Sequence, residues 1–257
     1  MQSLITLICG SAVGFSLGLI GGGGSILAVP LLLYVVGMKS PHAAIGTSAF
    51  AVGVNALVNL AGHWRRGNVK WLCAGIFAAG GMLGAAAGST LGKWVDGRKL
   101  LFLFALVMFA VGIAMLRPRA GGGDSDVRVS PAVGVRLAGI GSLTGAISGF
   151  FGIGGGFLIV PGLMLSSGMP ILNAIGSSLL SVGVFGLTTA ANYALSGLIV
   201  WRTAIEFIAG GAAGGMLGIA AASRFGGHRH TLRVVFAAVV FAVAAYMLFR
   251  TGRQILR

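Results

Sequence analysis

Acidic residues are almost missing: four Asp and Glu stand against eighteen Lys and Arg in 257 residues. Charged residues of both signs make up only 9% of the chain, where a soluble domain carries about 25%. That shortage leaves no polar shell around a core. With 56% hydrophobic residues and a mean hydropathy of +0.98, the solvent for most of the surface is lipid. Cysteine is scarce too. Cys9 and Cys73 both lie in apolar runs, with no CxxC and no histidine at ligand spacing, so they read as packing residues. No metal site and no cofactor are expected. The N-terminus lacks the basic region and cleavage site of a signal peptide, so the first span is expected to stay in the mature protein.

The missing acids narrow the function. Asp96, Asp124 and Asp126 read as loop residues, and Glu206 can pair with Arg202 at i, i+4. No carboxylate falls deep in an apolar segment, where a cation carrier needs a ligand or a proton relay. The cargo this favours is an anion. The net charge of +14 would suggest nucleic acid in a soluble protein. Here the bases cluster in short loops such as "HWRRGNVK" (63–70), which anchor a membrane protein. No nucleic-acid partner is expected. Neither an activated nucleophile nor a paired acid and base is present, so the chain reads as no enzyme.

What is abundant is glycine, 46 residues, without a Gly-X-Y period. Stretches such as "GGMLGAAAGSTLG" (80–92) and "GGAAGGMLG" (210–218) suit close packing of membrane helices. Apolar segments cover 3–20, 24–36, 43–62, 71–91 and 100–116, then 133–151, 155–166, 174–195, 203–222 and 232–249. Most approach the roughly 20 residues that a helix needs to cross the hydrocarbon. Between the two sets lies "RPRAGGGDSDVRVSP" (117–131), polar and glycine-rich, which reads as a linker. The expected organisation is a first transmembrane repeat over 1–117, a linker over 118–131 and a second repeat over 132–257.

The two halves repeat one another. "GFSLGLIGGGGSILAVP" (14–30) lies over "GAISGFFGIGGGFLIVP" (145–161), "AAIGTSAF" (43–50) over "NAIGSSLL" (173–180), "GNVKW" (67–71) over "GLIVW" (197–201) and "FAVGIAML" (109–116) over "FAVAAYML" (241–248). Order and spacing are kept, and internal duplication is a transporter signature. The predicted fold is an all-α, polytopic integral membrane protein of two homologous repeats, each with four to five membrane segments, eight to ten in total. If "GGGG" interrupts a span, each half has four crossings, and the basic residues divide 11 to 7 between the sides. If it is a hairpin tip, each half has five and the division is 10 to 8. The length of 3–36 favours five per half, hence inverted repeats, with short second limbs that can be re-entrant.

Glycine runs cost about 1 kcal/mol per residue in a helix, and irregular backbone at membrane depth is tolerated only against protein or a water-filled cavity. The breaks at Gly21–Gly24 and Gly152–Gly156 therefore face an interior near the midplane. Free N–H groups at the start of the following helix form an anion site. The candidate substrate-binding residues are Gly21, Gly22, Gly23, Gly24 and Ser25 in the first half and Gly152, Gly154, Gly155 and Gly156 in the second. Tight helix crossing is the competing explanation. Thr47 and Ser48 match Ser177 and Ser178 and can donate to an anion, or bond their own helix carbonyls. Asn55 and Asn59, with Asn192 and Tyr193, are candidates for polar lining or for bonds within the bundle. His42 and His63 titrate in the range a proton relay needs, but their places near segment ends suit interface residues.

At "GLIGGGGSILAVP" and "GFFGIGGGFLIVP", each followed by "AIGTS" or "AIGSS", the chain resembles the sulfite exporter TauE/SafE family, the TSUP permeases. The resemblance implies an inner-membrane, multi-pass permease that exports sulfite, sulfoacetate or another small sulfur-containing or organic anion, driven by the proton motive force. Its implied partners are the anion, protons and the lipid bilayer, and it acts as a monomer or homodimer. An anion channel on the same scaffold is the alternative. One departure is visible: Gly22 stands where the second copy has Ile153.

Overall fold

The computed structural model describes residues 2–116, 129–152, 156–224 and 229–255, and among them every element is helical. Helix α1 (Gln2–Ile20) is followed by a broken limb: a 3-10 turn Gly21–Leu27, a short α2 (Ala28–Pro30) and a π turn Leu31–Val35. Then come α3 (Pro41–Trp64), α4 (Trp71–Trp94), α5 (Gly97–Leu116), α6 (Pro131–Phe151), α7 (Gly156–Ser167), α8 (Ile171–Ala194), α9 (Trp201–Arg224) and α10 (Arg229–Ile255).

Local chemistry sets several boundaries. The Ser40 side chain caps α3 by accepting from the Ala43 N–H, and the Ser130 side chain caps α6 by accepting from the Val133 N–H. In each case proline follows the cap, where its missing N–H would have had no partner. Gly152 closes α6 with φ +65°, and Gly21 turns the chain after α1 with φ +74°. Those left-handed values suit glycine and little else.

Six helices are long and apolar enough to cross a membrane: Gln2–Leu19, Pro41–Trp64, Trp71–Trp94, Pro131–Phe151, Ile171–Ala194 and Trp201–Ala221. Shorter apolar helices lie at Gly24–Val35, Leu158–Ser167 and Ala237–Thr251. Leu83, Leu143 and Leu165 are exposed on these surfaces, as expected where lipid is the solvent. All four tryptophans, Trp64, Trp71, Trp94 and Trp201, stand exposed at helix ends, where a membrane interface collects them. The chain is a multi-pass membrane protein.

The glycine run is a hairpin tip. The Gln2 Nε2 donates to the Val36 carbonyl at 3.1 Å, so the broken limb returns to the level at which α1 began. Gly24 lies against Ser16 and Leu17 on the way back. The segment 2–36 is therefore a hairpin of two limbs, as the length of 3–36 suggests.

The tightest helix pairs join one half to the other. On α1, Gly10, Gly14 and Gly18 face the backbone of Phe207, Gly211 and Gly215 on α9 in rising order, so these two helices run parallel. On α4, Gly80, Gly84 and Gly88 face Ala138, Ser142 and Ala146 on α6 in the same way. A Cβ built on Gly14 would fall on the Gly211 carbonyl oxygen, and one on Gly145 would fall on that of Gly81. Glycine is needed here because backbone meets backbone, the packing mode that lipid-embedded helices rely on. Helices α3 and α8 cross at Gly53 and Gly183 and run antiparallel: Gly46 meets Leu198 beyond the end of α8, and Gly176 meets Asn68 beyond the end of α3. Each of these contacts has a twin at the matched position of the other half.

Candidate functional site

The two glycine breaks approach from opposite ends of the bundle. Gly152 packs against Ile45 near the start of α3, and Gly21 against Ile175 near the start of α8. They meet where Gly22 lies on Gly156, with Val182 at the mid-length of α8 beside them. Gly154 and Gly155 lie outside the described residues, as does Ile153. Gly23 continues the 3-10 turn.

The hydroxyls brace this junction. Ser48 shares its proton between the Ile45 carbonyl at 2.9 Å and the Gly152 carbonyl at 3.2 Å. Ser178 donates to the Ile175 carbonyl at 2.8 Å and accepts the Gly22 N–H at 3.4 Å. Ser25 donates to the Gly22 carbonyl at 2.8 Å. Thr47 accepts the Val200 N–H at 3.0 Å, ahead of α9, and Ser177 accepts the Lys70 N–H at 2.9 Å, ahead of α4. Hydroxyls on α3 and α8 thus tie each break and each following helix start to a helix of the other half. The sequence placed them together in matched positions but could not name partners so far away in the chain.

Asn55, Asn59 and His63 occupy one face of α3 and are at most 2% exposed. Asn59 donates to the Asn55 carbonyl at 2.9 Å, and His63 Nε2 lies 3.3 Å from the Gly18 carbonyl. His63 is therefore buried although it stands one residue before the end of α3, its ring against the α1 backbone at Gly18. His42 is half-buried, its ring 6.4 Å from that of Tyr193. Asn192 stands apart in a polar cluster at the end of α8. Its amide donates to Ser89 and Thr90, and its oxygen accepts from Lys93 at 2.7 Å.

Sequence reasoning passed over Ser148, Ser181 and Thr189. Their hydroxyls, like that of Tyr193, are buried without a partner. The i, i+8 spacing of Ser181 and Thr189 was the available signal. Asp96 caps the start of α5, accepting from the Arg98 and Lys99 N–H groups. Glu206 pairs with Arg202 at 3.2 Å. Asp124 and Asp126 lie outside the described residues. Among the described residues, no three His, Cys, Asp or Glu side chains gather as a metal would require.

Comparison with known proteins agrees with a membrane carrier. The sequence matches the family described as "Sulfite exporter TauE/SafE" over residues 6–247. A "Probable membrane transporter protein" of Xylella fastidiosa (strain 9a5c) is 53% identical over 253 residues, covering 98% of this chain and 97% of the relative. The Methanocaldococcus jannaschii "Probable membrane transporter protein MJ0441" is 30% identical over 78% of this chain and 72% of its own length. "Probable membrane transporter protein YunE" of Bacillus subtilis is 26% identical over 86% of this chain and 88% of its own. No solved structure matches. A glycine-braced bundle of apolar helices and a family match across nearly its whole length lead to one assignment: the chain belongs to the sulfite exporter TauE/SafE family, and it is a membrane transporter.

Proposed function

We propose that this chain is a secondary transporter that exports a small sulfur-containing oxyanion, such as sulfite or an organosulfonate, using the proton gradient. The observation that carries the reading is the meeting of Gly22 and Gly156 at the mid-length of α8. Bare backbone at that depth needs a protein or aqueous interior, and peptide N–H groups there are anion ligands. The halves 1–117 and 132–257 act as inverted repeats on either side of this junction. The matched contacts of α1 with α9 and α4 with α6 support that reading, as does the antiparallel crossing of α3 and α8. Such repeats provide two-sided access by rocking around a fixed site.

The anion is held by the breaks at Gly21–Gly24 and Gly152–Gly156, with Ser25, Ser48 and Ser178 at their edges. Thr47 and Ser177 keep the adjoining helix starts in place. His42 and His63 carry the coupled proton. The scarcity of carboxylates supports an anionic cargo: Asp96 and Glu206, the two acids among the described residues, stand at helix beginnings. The test is exchange in proteoliposomes. Trans-loaded unlabelled sulfite should accelerate entry of labelled sulfite, with saturation. Unsaturable flow of every anion down its gradient would mean a channel and would overturn the reading.

A further inference from the structure

Asn55 is fully buried, yet neither Nδ2 nor Oδ1 has a hydrogen-bond partner. An unpaired buried amide is costly, and an apolar residue of the same shape would avoid that cost. Its surroundings are defined. The Asn55 amide lies over Gly211 and that of Asn59 over Gly215, the glycines of α9 that pack on Gly14 and Gly18 of α1. One turn beyond Asn59, His63 points Nε2 at the Gly18 carbonyl, 3.3 Å away. A carbonyl only accepts, so Nε2 carries the hydrogen, and Nδ1 of the neutral ring is a bare acceptor. That Nδ1 is also buried and unpartnered. Gly18 lies one turn before the glycine break at Gly21, so this polar face of α3 leads away from the junction.

The idle amide belongs to one half alone. At the matched positions, α8 carries Phe185, Thr189 and Tyr193; the Thr189 and Tyr193 hydroxyls are likewise buried and unpartnered, but the Phe185 ring fills the space over Gly81. Whatever Asn55 serves is not a requirement of the fold, because the same helix crossing is made in the other half by a phenyl ring.

We propose that Asn55 is the part of the transport site that recognises a small oxyanion carrying one proton, with His63 two turns along the same face of α3. The idle amide of Asn55 offers N–H donors on Nδ2 and one acceptor, Oδ1. A fully deprotonated oxyanion offers only lone pairs and leaves Oδ1 facing them. A monoprotonated one accepts from the amide N–H and donates its O–H to an acceptor. This inference rests on the anion-transport reading above and adds to it the protonation state of the cargo and an asymmetry between the halves.

The test uses the purified full chain in a mildly acidic buffer, where sulfite carries one proton and sulfate none. Thermal unfolding is followed with each salt at matched ionic strength, for wild type, Asn55→Leu and the control Phe185→Leu. Wild type and Phe185→Leu should be stabilised by sulfite more than by sulfate. Asn55→Leu, which keeps the shape and removes the idle amide, should be at least as heat-stable without anion, and its sulfite affinity should fall about tenfold to a hundredfold. Four results would each overturn the inference: a destabilised Asn55→Leu protein, an unchanged sulfite response in it, equal responses of wild type to both salts, or no response of wild type to either. Sulfite exchange in proteoliposomes separates the two levels. Binding that depends on Asn55 without any exchange would sink transport and leave the recognition site standing.

Discussion

Gly22 and Gly156 touch backbone to backbone. A Cβ added to Gly22 would fall on the Gly156 Cα, and one added to Gly156 would fall on the Gly22 peptide. Both are buried, and one comes from each half. The junction therefore has no room for a side chain. Overpacking of this kind costs about 1–3 kcal/mol. Gly156→Ala is expected to lower the unfolding temperature of the purified protein and to remove most sulfite exchange while insertion persists. Normal exchange in a well-expressed variant would show that the contact is incidental.

Thr47 and Ser177 make a second kind of prediction. Each hydroxyl accepts a backbone N–H ahead of a long helix, Val200 for α9 and Lys70 for α4. Thr47→Val and Ser177→Ala each leave one such N–H without its acceptor, at about 1 kcal/mol. The two losses should add in the double variant, because distant sites are independent. Exchange should fall by less than about tenfold, since a loss of that energy need not touch a ligand. Thermal unfolding of the three variants checks the additivity. A collapse of exchange at full stability would make these hydroxyls direct anion ligands.

Glu206 should be dispensable. Its ion pair with Arg202 is a solvent-facing i, i+4 contact, with the Arg202 side chain 84% exposed. Such pairs contribute about 0.3–0.5 kcal/mol. Glu206→Gln is expected to leave stability and gradient-driven transport close to wild type. Loss of coupling with intact exchange would assign the proton to this carboxylate.

His63 should behave oppositely. Its ring is buried between α3 and the Gly18 carbonyl of α1, with Nδ1 unpaired. His63→Gln is expected to keep sulfite-for-sulfite exchange and to lose its acceleration by an imposed pH gradient. Measuring both modes in the same proteoliposome preparation checks this. An undiminished gradient response would remove His63 from the coupling path.

Much of this architecture was legible in advance. The duplicated glycine motif, the paired Gly-Thr/Ser-Ser signatures and segment lengths near 20 residues all have local causes. Helix identity follows from them, as does the hairpin over 3–36. Partner choice was less accessible. Nothing near Gly14 in the chain says that it meets Gly211, because a flat glycine face on α1 could have packed on any of the glycine-rich helices. His63 looked like an interface residue because it stands at the end of an apolar run. Its burial comes from packing against α1, whose Gly18 carbonyl lies 45 residues away in sequence. The hydroxyl positions were visible in the matched motifs, while their acceptors and donors, set by the crossing of α3 and α8, were not.

The most direct measurement is accumulation of labelled sulfite by proteoliposomes, begun with equal sulfite on both sides and an imposed pH gradient. The account predicts saturable movement of sulfite up its own concentration gradient, abolished by a protonophore and by Gly156→Ala. Equilibration without accumulation, unaffected by the gradient, would contradict a proton-coupled carrier.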